Sequence, residues 1–237
     1  MNTFPVLWLH WLLGISIVFS SGGLISFGFW AADLRRKRRE EQFQDTMERL
    51  RKQTMQDDLT GLFNRRYFDE ALGIEWKRAA RENQSIALLL LDVDCFKKLN
   101  DRYGQIPGDE CLHKVAGVLK ENVRRPGDFV ARIGGEEFAV VLPGASAEGA
   151  YRIAETMRTA VLNLKIPNQD SSAGPYATLS IGVCSKQSSF DQTANKLVEG
   201  ADAALYLAKV QGRNRTQLSG ALAPMAVVRD QGVALAR

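Results

Sequence analysis

The run Arg132-Ile133-Gly134-Gly135-Glu136-Glu137-Phe138 sets two glycines and two carboxylates in succession between short apolar stretches. Glycine lets a backbone turn tightly and approach a phosphate, because no Cβ intervenes. Two carboxylates directly behind it put hard oxygen ligands at the tip of that turn. Such a tip suits Mg²⁺ and a polyphosphate, since Mg²⁺ takes carboxylate, water and phosphate oxygens. A Gly-Gly hairpin with solvated acids is the plainer reading of the same residues. A second acidic pair lies upstream, in Leu91-Asp92-Val93-Asp94-Cys95-Phe96-Lys97-Lys98-Leu99-Asn100-Asp101. One Asp at a strand end can cap the next helix, but that does not account for two, followed at once by two lysines. If strand and hairpin are neighbours, Asp92 and Glu136 can meet at one cation. Clustered carboxylates raise each other's pKa, a cost that a divalent ion removes. Lys97 would then meet a phosphate as a point charge.

Such groups need a scaffold, and the patterning supplies one. Phe68, Leu72, Trp76 and Ala79 share one face of an expected helix at 64–82. Residues 86–91 form a continuous apolar run, as in a central strand buried on both faces. Further helices are expected at 108–123, at 146–163 behind a Ser146 cap, and at 196–209, ended by Gly212. Strands are expected at 129–133 and 138–142, flanking the Gly-Gly turn, and at 177–184. The fold class is α/β (α+β), with helices and strands interleaved around an antiparallel-containing sheet. The stretch 217–237 is small and apolar without period and is expected to be disordered.

Residues 1–32 hold no Asp, Glu, Lys or Arg. At about 20 residues per span, the apolar stretch 5–31 is long enough to cross a bilayer once. Trp8, Trp11 and Trp30 sit near its ends, where amphipathic rings favour the interface. Arg35, Arg36, Lys37, Arg38 and Arg39 follow, and no Lys or Arg precedes the span, so the positive-inside bias puts the remainder in the cytoplasm. A cleaved signal peptide would need a positive n-region, which is missing. Without that basic run the formal net charge of +4 falls to about −1, leaving no footprint for nucleic acid. In the charged stretch 33–56, Phe43, Met47, Leu50 and Thr54 have the spacing of a coiled-coil seam; a solvated single helix reads nearly as well. Cys95, Cys111 and Cys184 form no C-x-x-C pair, which fits reduced thiols.

Several further motifs stand in a fixed order. They are Asp57-x-Leu59-Thr60-Gly61-Leu62-x-Asn64-Arg65-Arg66, Gly104-x-x-x-Gly108-Asp109, Ser180-Ile181-Gly182-Val183, and Ala201-Asp202-x-Ala204-Leu205-Tyr206-x-Ala208-Lys209-x-x-Gly212-Arg213-Asn214. With the acidic strand end and the hairpin, they make the stretch 57–216 resemble the GGDEF family, the diguanylate cyclases, in its Gly-Gly-Glu-Glu-Phe form. The resemblance implies a ferredoxin-like palm, similar to class III nucleotidyl cyclases, here preceded by one transmembrane helix and a helical linker. It implies condensation of two GTP molecules to cyclic di-GMP with release of two pyrophosphates.

Carried over by residue, the resemblance makes Asp92, the Val93 carbonyl and Glu136 ligands of Mg²⁺, with Mn²⁺ as the alternative ion. Glu137 becomes a second acidic ligand or helps activate the 3′-hydroxyl. Asn100 and Asp109 would read the guanine edge, and Lys97, Lys209 and Arg213 would hold the triphosphate. Arg125 and Asp128 occupy the family's R-x-x-D position for inhibition by the product; a surface loop is the plainer reading. Because one site holds one GTP, the resemblance also implies a homodimer. The whole is expected at the bacterial inner membrane, single-pass, with a membrane protein as a candidate partner. One departure is Gln105, followed by Ile106 and Pro107, where the family usually has His; a locally altered loop is expected there. The rival reading is a catalytically silent receptor for cyclic di-GMP or GTP, yet the hairpin acids that silent members usually lose are all present. An ATP-using variant conflicts with Asp109, which needs a ring N–H donor that adenine lacks.

Overall fold

The computed structural model describes residues 36–38, 55–190 and 193–220. Residues 36–38 are helical; the rest of the expected linker up to 54, the span expected at 5–31 and the tail from 221 lie outside the described residues. Among the described residues no helix is long and apolar enough to cross a membrane.

The domain begins at Met55, two residues earlier than the motifs alone place it. Met55 is buried, its carbonyl accepts from the Asn64 N–H, and Gln56 bridges to Phe63. These residues close a loop onto the domain, so they belong to it and not to the linker. Helix α1 (Arg65–Arg81) follows, started by Asn64, whose side chain accepts from the Tyr67 N–H at 3.1 Å. Strand β1 (Ser85–Val93) comes next and is buried along all but its first residue.

Two helices succeed it, α2 (Phe96–Tyr103) and α3 (Gln105–Glu121). The hairpin β2 (Phe129–Gly134) and β3 (Glu137–Pro143) leads to α4 (Ala147–Asn163), where Ser146 Oγ accepts from the Gly149 N–H. Strand β4 (Leu179–Gln187), helix α5 (Asn195–Val210) and strand β5 (Thr216–Leu218) complete the domain. The sheet runs β2-β3-β1-β4-β5, antiparallel throughout except for the parallel β4–β5 pair.

Strand alternation divides the core into two layers. Ala87, Leu89, Leu91 and Val93 of β1 face α3 and α4, with Leu112, Val115, Leu119, Ala154 and Met157. Ile86, Leu88 and Leu90 face α1 and α5, with Phe68, Leu72, Trp76, Leu197 and Leu205. By the same alternation Asp92 belongs to the α1/α5 side.

Gly182 of β4 decides how closely α5 can lie on the sheet. A Cβ there would sit 2.1 Å from the Ala201 carbonyl oxygen and 2.2 Å from the Leu205 nitrogen. The helix backbone therefore rests directly on the strand, and this contact sets the height of Lys209 further along α5.

Three features depart from the sequence reading. Helix α2 was not expected as an element of its own; it is eight residues long with only Phe96 and Leu99 buried, too few turns for a periodic signal. Gln105-Ile106-Pro107 is not an altered loop but the first turn of α3, where a proline lacks no needed hydrogen bond. Gln217 and Leu218, assigned to the disordered tail, lie in β5 and pair with Gly182 and Val183.

Candidate active site

Three strand ends converge at one end of the sheet: the close of β1, the turn between β2 and β3, and the start of β4. Asp92 sits opposite Glu137 on one side and Ser180 on the other. Its side chain is nearly buried, and its Oδ2 lies 2.6 Å from Lys209 Nζ. Burial pushes the Asp92 carboxyl up to about 6; the Lys209 ammonium opposes that, and the Glu136 and Asp94 charges add to it. A carboxylate held here is therefore poised to accept a cation.

The turn is two residues long, Gly135-Glu136, between the paired Gly134 and Glu137. The Val93 N–H donates to the Glu136 carbonyl at 3.2 Å, which ties the turn to the end of β1. Glu137 is exposed, and its Oε2 would come within 3.0 Å of a Cβ at Gly134, so that glycine leaves room for the carboxylate. At Gly135 a Cβ would meet nothing within 4 Å, so no packing within the domain requires that glycine.

Asp94 has a different fate from Asp92. Thr178 Oγ1 and Ser180 Oγ each donate to it at 2.6 Å, and the Asn214 N–H donates at 3.0 Å. Both its oxygens are taken, so Asp94 braces β1 against β4 and the loop behind α5. Thr178, Ser180 and Asn214 are the residues that sequence reasoning missed here. A clue was present: hydroxyls at two alternate positions of a strand otherwise apolar on its alternate face.

Asp57 and Arg132 are a second brace that the sequence reading left without a role. Arg132 Nη1 lies 3.1 Å from Asp57, and Arg132 Nε and Nη2 donate to the Gly135 carbonyl at 2.9 and 2.7 Å. Burial raises the Asp57 carboxyl, but hydrogen bonds from Thr60 and Arg132 outweigh it and hold the group below its usual value.

The expected base-reading residues lie next to one another. Asn100 Oδ1, on α2, is buried with no partner, and it occupies the space that a Cβ on Gly108 would need. Asp109 follows Gly108 in α3 and is half-exposed. Lys97 lies exposed on α2. Arg213 is in the left-handed region, at φ 65°, in the loop that ends α5. Its charge is felt at Cys95, just past β1: burial raises the Cys95 thiol, but Ser172, Ser171 and the Arg213 charge together bring it below its usual value.

Arg125 and Asp128 stand apart from this cluster. The Asp128 N–H donates to the Arg125 carbonyl at 3.1 Å, closing a turn just before β2. The Gly135-Glu136 turn follows the far end of that six-residue strand, roughly 20 Å away by strand rise. Burial raises the Asp128 carboxyl, and the Arg125 charge and backbone N–H oppose it.

Among the described residues no three His, Cys, Asp or Glu side chains close into a metal cage. Asp92 and Glu136, with backbone oxygen, could supply a partial set of hard donors. That suits an ion which keeps waters and takes substrate phosphates, and the mutual repulsion of the two carboxylates favours a divalent cation between them.

Comparison with known proteins agrees with this geometry. Residues 54–215 match the family model described as "Diguanylate cyclase, GGDEF domain". Diguanylate cyclase DgcP of Pseudomonas aeruginosa is 36% identical over 177 residues, which cover 75% of this chain and 26% of DgcP. The chain thus spans about a quarter of that relative's length. The crystal structure of the coiled coil and GGDEF domain of DgcB from Caulobacter crescentus, in complex with c-di-GMP, gives a TM-score of 0.68 at 32% identity. That match covers 79% of this chain and 97% of DgcB's. The active GGEEF domain of a diguanylate cyclase from Vibrio cholerae gives 0.60 at 31% identity, over 67% of this chain and 97% of that one. Motif, fold and site lead to one family, and the chain belongs to the GGDEF diguanylate cyclases.

Proposed function

We propose that this chain condenses two GTP molecules to cyclic di-GMP and releases two pyrophosphates. The observation that carries the reading is the meeting of buried Asp92, the Glu136 turn and the Lys209 ammonium at one end of the sheet. Phosphoryl transfer needs positioning and charge neutralisation more than covalent help.

Asp92, the Val93 carbonyl and Glu136 would hold a divalent cation, Mg²⁺ or Mn²⁺. When bound, it neutralises charge on the phosphates and on the departing pyrophosphate. Lys97, Lys209 and Arg213 hold the triphosphate. Asn100 and Asp109 hydrogen-bond the guanine edge, and the unpartnered Asn100 oxygen supports that role. The 3′-oxygen of one ribose attacks the α-phosphorus of the facing nucleotide, and the bond to pyrophosphate breaks. Glu137 is a further acidic ligand or helps take up the hydroxyl proton. The same step in the opposite sense closes the ring.

Since each domain holds one GTP, two copies must face each other, and the linker at 33–56 would set their spacing. The coiled coil present in the DgcB structure supports such an arrangement. Arg125 and Asp128 would bind the product as an inhibitor; a guanidinium pairs bidentately with phosphate or the Hoogsteen edge of guanine. The uncharged stretch 5–31 and its following basic run support anchoring in a bacterial inner membrane, with the domain on the cytoplasmic side. Input would arrive through the lipid, a membrane partner protein or the N-terminal segment.

The test is the full chain in detergent with GTP and Mg²⁺, its products read by mass spectrometry beside Glu136→Ala. Cyclic di-GMP from the parent alone is the expected result. No product from a protein that dimerises and binds GTP would leave the receptor reading.

A further inference from the structure

Asp92 carries an ion pair on one of its two carboxylate oxygens. Lys209 Nζ lies 2.6 Å from Asp92 Oδ2, with the Lys209 side chain 33% exposed and that of Asp92 only 10%. The neighbouring acid offers no alternative berth, because Thr178, Ser180 and Asn214 fill both oxygens of Asp94. The approach of α5 to Gly182 brings the ammonium to this spot. Lysine is a compact point charge on a flexible four-carbon stem, so it can change partners without refolding its helix.

We propose that Lys209 is a displaceable counter-ion of Asp92, so that cation and nucleotide enter the site together. This rests on the reading that Asp92 and Glu136 hold the cation. A bare divalent ion arriving at the site competes with the ammonium for a nearly buried carboxylate, and an ammonium so displaced loses its 2.6 Å partner. A nucleotide triphosphate removes that penalty, since its phosphates receive the evicted ammonium. The two ligands therefore bind with positive coupling, and the coupling is reciprocal. Lys209 thus has two partners in succession, the carboxylate and then the phosphates. In the nucleotide-free enzyme it also spares Asp92 an uncompensated charge, which a buried carboxylate tolerates poorly.

The experiment measures Mn²⁺ binding to the full chain in detergent, without nucleotide, from the electron paramagnetic resonance signal of free Mn²⁺. The parent is compared with Lys209→Met, Lys209→Gln and Lys209→Arg. The expected result is about tenfold tighter Mn²⁺ binding in Lys209→Met and Lys209→Gln, with Lys209→Arg close to the parent. Adding Asp92→Asn to Lys209→Met should abolish that gain. Unchanged or weaker Mn²⁺ binding in both neutral variants overturns the counter-ion proposal. In that event the cation reading is judged separately, by whether Asp92→Asn loses Mn²⁺-dependent retention of a non-cyclisable GTP analogue. A gain that survives Asp92→Asn places the ion elsewhere and overturns both. Should the neutral variants fail to fold, the parent still decides: the side-chain NMR signal of Lys209 must shift on adding Mg²⁺ with the GTP analogue. A signal that stays in place overturns the proposal.

Discussion

Arg132 grips Asp57 and the hairpin turn at once: one guanidinium nitrogen sits 3.1 Å from the Asp57 carboxylate while two others hold the Gly135 carbonyl. Asp57 lies in the loop that opens the domain, two residues after Met55, and Gly135 lies at the tip of the hairpin. The planar fork of arginine spans both ends. The entry of the chain into the domain and the placement of Glu136 are therefore mechanically one feature.

Replacing Arg132 with Lys keeps the charge but cannot serve both partners. We expect kcat to fall about ten- to a hundredfold, the scale of a misplaced catalytic group, with KM for GTP near the parent value. Initial rates of cyclic di-GMP formation beside a thermal melt check this. A fall in Tm large enough to account for the lost rate would assign Arg132 to stability alone.

Asp92 imposes a cost on folding that pH should reveal. Its native carboxyl titrates near 6, above the ordinary value of 3.8, so the folded state binds the proton more tightly than the unfolded one. Stability from this group is full below about pH 4 and is lost as pH rises through about 6. Asp92→Asn should therefore melt above the parent at about pH 7.5 in chelator, by up to about 3 kcal/mol, while activity vanishes. The advantage should shrink below about pH 4. Equal melting curves across that range would refute the buried, repelled carboxylate.

Gly108→Ala tests the base-reading corner. The new Cβ would fall 1.8 Å from Asn100 Oδ1, the free end of a side chain that can swing away. We expect GTP affinity to drop about tenfold, the worth of one good hydrogen bond, with Tm within a few degrees of the parent. Isothermal titration with a non-cyclisable GTP analogue gives the first number and calorimetry the second. Undiminished affinity would remove Asn100 from the guanine contacts.

Arg125 lies a strand's length from the turn, so its loss should leave chemistry intact. Arg125→Ala is expected to retain the parent's initial rate but to keep working as product accumulates. Progress curves with added cyclic di-GMP measure it directly. Equal inhibition of parent and variant would reduce the Arg125–Asp128 turn to a surface loop.

Much of this site is legible in the sequence because strand alternation and turn chemistry act locally. The apolar run ending in Asp92 and the Gly-Gly-acid turn announce themselves, and their pairing follows once β1 and β3 are neighbours. What escaped is what only tertiary contact decides. Asp92 and Asp94 look alike in the chain, yet one is paired with the Lys209 ammonium and the other is saturated by hydroxyls more than eighty residues away. Helix α2 escaped because two inward residues make no period, and β5 because three residues make no pattern. Gln105 was read against a family habit, whereas the local rule for proline in a first turn described it better.

Strand β5 has one further consequence. Among the described residues it pairs with Ile181, Gly182 and Val183 alone, and the Ser219 N–H adds one more bond to the Val183 carbonyl. Those few bonds cover the outer side of β4, whose backbone groups would otherwise invite strands from other molecules. A chain cut at residue 215, where the family match ends, would keep every residue proposed for the site and still present a sticky edge. Such a truncation would fail by self-association, so a well-behaved isolated domain has to run through Ser219.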